Sequence, residues 1–234
     1  MGHVIAGYLS ANGKATVSIL TNHPTAWQNK IEICVPDNGE MLIGNIACVS
    51  ANPAEALLDA EIVLLCLPGF LIKDELIKIR DFINSGTYVG SVFSSTGFFF
   101  EALKLLNEDI PLWGFQRVPF ISRIKEYGHS ASLLGYKGCY HIAVERDTDA
   151  NKELFRYWVE NSFDRPVTLL KNYLEASLTN SNPLLHTARL YSMFHDWQPG
   201  ISYPRNILFY EEWTEDAAKL LIPVSYTHLR AHET

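Results

Sequence analysis

In the stretch SLTNSNPLLHTARLYSMF, residues 177–194, Asn182, His186 and Arg189 stand at i, i+4 and i+7. On a helix this spacing aligns an amide, an imidazole and a guanidinium along one face, with Leu184, Leu185, Ala188 and Tyr191 covering the other sides. An imidazole titrates near neutral pH and can give or take a proton, while a guanidinium one turn on can hold a carboxylate. The charge of Arg189 disfavours a protonated His186 and so asks for a compensating carboxylate, which the adjacent sequence does not supply. Two plainer readings stay open: a solvated polar face, and Asn182-Pro183 as N-cap and first helical residue with the amide spent on backbone N–H groups.

A second set of residues sits where apolar runs stop. Thr21-Asn22-His23, Leu67-Pro68-Gly69 and Ser94-Ser95-Thr96-Gly97 are all small or polar. Ligands of open parallel sheets lie beyond the carboxyl ends of the strands, where such residues let backbone approach and leave N–H groups free for phosphate oxygens. With Gly2 and His3, which open a helix, these turns predict a dinucleotide site. A carboxylate after the second strand would bind a ribose 2′-OH and repel a 2′-phosphate. No acid stands among Thr21, Asn22 and His23. The expected cofactor is therefore NADP or NAD, leaning to NADP, unless these residues only form the turn before Pro24. In WGFQRVPFISR, Gln116, Arg117 and Arg123 lie among aromatics, where a guanidinium either anchors a substrate carboxylate or caps a loop. Glu175 precedes the polar helix and either favours a helix N-terminus or receives a substrate amine.

The elements that must position these groups follow from periodicity. Residues 2–9 predict a helix stopped by Asn12-Gly13, and residues 15–20 a strand. A helix feeding a parallel strand normally follows an earlier strand, so a first strand is expected to be missing. IEICV and MLIGNIACV flank PDNGE, whose Asn38-Gly39 signals a hairpin insertion. Asn52 caps a short helix at Pro53, EIVLLCLPG reads as a buried parallel strand, 72–83 as a helix and TYVGSVF as another strand. Between 111 and 144 the texture changes to short β-like pieces. A helix over 149–163, the strand PVTLL and an all-helical remainder from Ser177 complete the reading. The expected fold is α/β, a Rossmann-like doubly wound parallel sheet lacking its first strand, followed by a partial all-helical second domain. The boundaries are 1–172 for the NAD(P)-binding domain and 173–223 for the helical one.

The final residues 224–234, VSYTHLRAHET, are polar and aperiodic after an apolar run. They resemble letter for letter one reading frame of a transposase adapter and are expected to be a non-native tail, which makes His228 and His232 poor site candidates. With 234 residues, 47% hydrophobic and 19% charged, the chain can bury a self-supporting core. A net charge of −7 lacks the basic patch of nucleic-acid binders. Cys34, Cys48, Cys66 and Cys139 form no CxxC pair, which argues against a metal site and for buried, inert thiols in a reducing compartment. No run reaches the roughly 18 apolar residues of a membrane span, and no basic leader opens the chain, so a cytoplasmic protein is expected.

GHVIAGYLS, the strand ending in LPG, SSTGFFFEA and above all NPLLH resemble the octopine/nopaline (opine) dehydrogenase family from Gly2 to about Ile222. The resemblance implies a Rossmann domain, a helical C-terminal domain and NAD(P)H-dependent reductive condensation of an amino acid with a 2-oxo acid. By position it makes Gly2 the last glycine of GxGxxG and His186 the catalytic acid/base; Asn182 is expected to orient His186 or the substrate. The earlier glycines are missing, and the acidic partner of the histidine falls beyond the break near Pro223, so a fragment of this kind is expected to be inactive. Small-molecule substrates are the implied partners, with oligomeric state open. Two other readings are a 2-oxo acid or ketone reductase of the related 6-phosphogluconate dehydrogenase-like group, and a non-catalytic NADP(H) sensor. The reductase reading is weakened because such enzymes often carry a Lys in the catalytic helix, and none stands near His186.

Overall fold

The structure, a computed structural model, describes residues 1–179 and 182–231 and divides into two compact units, Met1–Thr179 and Asn180–Thr234. The first unit begins with helix α1 (Gly2–Ala11), strand β1 (Val17–Leu20) and the hairpin β2 (Lys30–Val35) and β3 (Glu40–Ser50). Then follow α2 (Pro53–Ala56), β4 (Ile62–Leu65), α3 (Gly69–Ile79), β5 (Tyr88–Ser91), α4 (Phe98–Leu105) and β6 (Leu112–Phe115). The hairpin β7 (Phe120–Glu126) and β8 (Ser130–Tyr136), β9 (Tyr140–Glu145), α5 (Asp149–Phe163), β10 (Val167–Leu169) and α6 (Tyr173–Leu178) complete it.

Among the described residues ten strands form two five-stranded sheets, ordered β1-β3-β2-β8-β7 and β10-β9-β6-β5-β4. In the second, β4, β5 and β6 run parallel, as their continuous apolar sequences require, with β9 antiparallel to β6 and parallel to β10. The predicted hairpin is present, from Lys30↔Asn45 to Val35↔Glu40, but β3 does more than close it. Its second half runs on beside β1 in parallel register, Ser18↔Cys48 to Leu20↔Ser50. One eleven-residue strand thus serves both hairpin and parallel sheet. This bend crosses α1 at close range: a Cβ on Gly44 would lie 2.6 Å from the Gly7 carbonyl oxygen, so only glycine lets the two backbones meet there.

The helices form for local reasons the sequence carries. Asn52 accepts the Ala54 N–H to start α2, Thr148 the Asn151 N–H to start α5, and Asn172 those of Leu174 and Glu175 to start α6. Ile72, Leu76 and Ile79 give α3 one buried stripe. One core joins α1 to the hairpins, β6, β9 and α5; a second lies under α3 and α4 and includes Ala176 of α6. Tyr173 packs against Phe99 at 5.5 Å between ring centroids, so α6 belongs to the first unit. The second unit holds α7 (Asn182–Phe194) and α8 (Glu215–Ala231), the latter with Pro223 inside it and continuing into the stretch expected to be non-native.

The cysteines are free. Cys66 is packed as an inert thiol, its pKa pushed up to about 11 by burial. Cys139 departs from the buried expectation and is exposed, standing in the turn just ahead of β9. Among the described residues no helix is long and apolar enough to cross a membrane, and no cluster of side chains could hold a metal ion.

Candidate functional site

In the first unit the strand-end turns are linked through α3. Its first residue, Gly69, follows Pro68 at the end of β4, and a Cβ there would fall 2.8 Å from the Thr96 carbonyl oxygen. The Leu67-Pro68-Gly69 and Ser94-Ser95-Thr96 turns touch because this residue has no side chain. Near its other end α3 carries Lys78, whose Nζ donates to Asn22 Oδ1 at 3.2 Å, tying in the turn after β1. Thr21 continues the β1 register by donating its N–H to Ser50 O, and its hydroxyl accepts the His23 N–H at 3.3 Å. His23 leads into the 3-10 turn Pro24–Ala26.

The third turn is built from hydroxyls. Ser94 Oγ donates to Phe115 O and Thr96 Oγ1 to Phe93 O, both at 2.8 Å, while Gly97 takes φ 85° to start α4. Ser95 Oγ is buried and has no hydrogen-bond partner among the described residues, a cost that a bound polar group would remove. Gly2 opens α1 without a side-chain cap and lies against Cys66 at the end of β4, where a Cβ would meet Cys66 Cβ at 3.3 Å. An uncapped helix start, a glycine-lined rim and an orphaned hydroxyl are the donor set that a nicotinamide dinucleotide asks for, and the residues fit that group. His3, expected beside Gly2 in this rim, turns elsewhere. It is 5% exposed, its Nε2 accepts the Gly128 N–H at 2.8 Å, and its ring stacks on Trp27. A separate cavity of about 670 Å³, lined by Lys14, Thr16, Asn45 and Glu61 among others, opens at the amino end of β1 and contains none of the strand-end residues.

Gln116 and Arg117, at the end of β6, meet α6. Gln116 Nε2 donates to Glu175 O at 3.2 Å and Thr179 Oγ1 at 2.8 Å, and Arg117 donates to the carbonyl oxygens of Gln116 and Thr179. Burial lowers the pKa of Arg117 from its ordinary value, but a guanidinium stays charged at any working pH. The Glu175 carboxylate accepts the Lys171 N–H at 3.2 Å, a loop-closing role. Arg123 is exposed on β7 and donates to the Ser122 carbonyl.

In the second unit the predicted helix places Asn182, His186 and Arg189 on α7. His186 is half-buried, its Nε2 lies 3.0 Å from Tyr210 Oη, and the edge of Phe209 meets its ring at 5.2 Å. Arg189 is 1% exposed. Its Nε donates to Phe209 O at 3.1 Å, an Nη to Glu212 O at 2.7 Å, and the guanidinium lies 5.8 Å from the Trp213 ring. The guanidinium thus ties the 209–213 segment to α7, and the same segment carries the phenol beside His186. Sequence reasoning missed Tyr210 and Lys78, since neither lies near its partner along the chain.

No family model matches the chain. The chain is 27% identical over 213 residues to an uncharacterized protein of Sinorhizobium fredii, covering 85% of this chain and 55% of that protein. It is 28% identical over 183 residues to tauropine dehydrogenase of Arabella iricolor, covering 76% of this chain and 46% of that enzyme. Among solved structures, an octopine dehydrogenase with NADH and L-arginine superposes with a TM-score of 0.80 at 20% identity, over 97% of this chain and 60% of that one. The fold is therefore the Rossmann-type α/β fold of that structure. The chain is thus similar to opine dehydrogenases in sequence and in fold, in line with the resemblance of NPLLH and the strand-end turns. The chain spans about half the length of the curated relatives it matches.

Proposed function

We propose that this chain carries the cofactor-binding unit and the start of the helical unit of an opine dehydrogenase, which condenses an amino acid with a 2-oxo acid reductively. NAD(P)H, when bound, supplies the hydride that reduces the C=N carbon. The chain's own residues do the rest. The Pro68-Gly69 and Ser94–Thr96 turns, with the start of α1, receive the dinucleotide and exclude bulk water from its polar groups. His186 acts as acid/base at its Nε2, giving the proton that the reduced nitrogen gains, and Asn182 orients it or the substrate. The carboxylate clamp falls to Arg117: both guanidiniums donate to backbone carbonyls, but Arg189 is fully buried whereas Arg117 is only half-buried and open to a substrate. A cytoplasmic setting suits the four free thiols.

The observation carrying this reading is the α3-centred rim, where Gly69 abuts Thr96 beside the buried, unpartnered Ser95 hydroxyl. Titration of the chain with NADPH and NADH, followed by fluorescence, tests it: binding supports the reading and absence of binding overturns it. In a chain of the relatives' full length, addition of amino acid and 2-oxo acid pairs then separates turnover from sensing. Binding without oxidation under every pair would favour a sensor.

A further inference from the structure

We infer that Lys78 and Asn22 form the seat of a 2′-phosphate, so that the rim prefers the phosphorylated nicotinamide dinucleotide; this rests on the cofactor reading above. In a Rossmann-type sheet the adenosine ribose lies at the end of the strand followed here by Thr21 and Asn22, and the charge placed there selects between 2′-OH and 2′-phosphate. No acid stands in that turn, and the structure brings a cation to it instead. Lys78 Nζ lies 3.2 Å from Asn22 Oδ1, on a helix that begins at Gly69 of the same rim.

The donor count leaves room for a ligand. An ammonium has three donors; one goes to Asn22, and Glu75 Oε1 at 3.6 Å is an ion-pair partner beyond hydrogen-bond length, which leaves donors for a ligand. Because Lys78 can only donate, Asn22 must face it with its carbonyl oxygen. That leaves the Asn22 amide N–H groups without a partner among the described residues, and Asn22 is exposed. A phosphate dianion at this point gains an ammonium and an amide donor together, while a neutral 2′-OH gains little from the charge. Among the described residues Glu75 is the acid paired with Lys78, and it opposes a phosphate by like charge.

These signs make the test specific. Calorimetric titration of the full chain with 2′,5′-ADP and with 5′-AMP compares ligands that differ only in the 2′-phosphate. We expect 2′,5′-ADP to bind about tenfold tighter, the worth of one charge-assisted hydrogen bond. Lys78→Met should bring that ratio close to one, chiefly by weakening 2′,5′-ADP, and Glu75→Gln should widen it. Equal binding of the two ligands, or a ratio untouched by Lys78→Met, overturns the inference while leaving the cofactor site standing. So does a Glu75→Gln variant that weakens 5′-AMP, because Glu75 would then be the ribose-binding acid. Failure to bind either nucleotide overturns the cofactor reading and this inference with it.

Discussion

His3 on α1 and His186 on α7 are both histidines that the sequence placed at candidate functional positions, and their surroundings differ sharply. His3 is sealed beneath the β7–β8 hairpin, stacked on Trp27 at 4.3 Å with Tyr127 edge-on, its Nε2 accepting a backbone N–H. Burial pushes its pKa down to about 4, and the Met1 amino group adds a smaller push the same way. Neutral at working pH, with its proton on Nδ1, it fastens the hairpin to the helix and exchanges no proton. His186 keeps a half-open ring whose Nε2 meets a phenol. The lesson is that the tertiary surroundings, not the residue type, decide whether a histidine ring is sealed as a structural fastener or left open to a partner.

The largest expected effect breaks the comparison at His186. In a chain of the relatives' full length, His186→Gln should lower kcat by about 10²- to 10⁴-fold, the worth of a positioned acid/base, with little change in the unfolding midpoint. Unchanged turnover would remove its role. His3 should show the reverse pattern, in stability. Its folded pKa lies below the unfolded value of 6.5, so its contribution is complete above pH 6.5 and is lost as pH falls towards 4. Urea unfolding from pH 7 to pH 4 should reveal a loss of about 3 kcal/mol that His3→Gln abolishes; an identical pH slope in the variant would refute the sealed, neutral imidazole.

Arg189→Met sharpens the comparison from beside the imidazole. It leaves the carbonyls of Phe209 and Glu212 without their guanidinium, and should destabilise the second unit by about 2 kcal/mol, read by hydrogen exchange over 182–226. Exchange rates matching the wild type would mean that the guanidinium braces nothing. The smallest effect belongs to Tyr210→Phe, which removes one hydrogen bond from His186 and should lower kcat of the longer chain by about tenfold or less in steady-state kinetics. A loss as large as that of His186→Gln would make the phenol the more important group.

Much of the scaffold was legible because it is written in short-range patterns. Ile72, Leu76 and Ile79 announce α3, Asn38-Gly39 the β2–β3 hairpin, Asn52-Pro53 the start of α2, and NPLLH the helix that bears His186. The rim was legible too, since Pro68-Gly69 and Ser94–Gly97 mark where strands stop. Illegible were the double duty of β3, which depends on Gly44 crossing Gly7, and the inward turn of His3, which depends on Trp27 and Gly128. Arg189 read as a carboxylate clamp because its helical position was visible, whereas the Phe209 and Glu212 carbonyls that occupy it were not.

Sequence alone determined most of the first unit's strands and helices, that the strand ends are small and polar, and that an imidazole stands on a helix, because these properties depend on neighbours within a few residues. It failed at 195–214, expected to be helical but without a helix between α7 and α8. Tertiary structure decided which charges and rings meet: Lys78 at Asn22, Tyr210 at His186, Trp27 on His3. Those contacts join residues 24 to 56 positions apart, and ionisation and hydrogen bonding fall off over a few ångströms. The chemistry of each side chain was therefore fixed only when the chain closed around it.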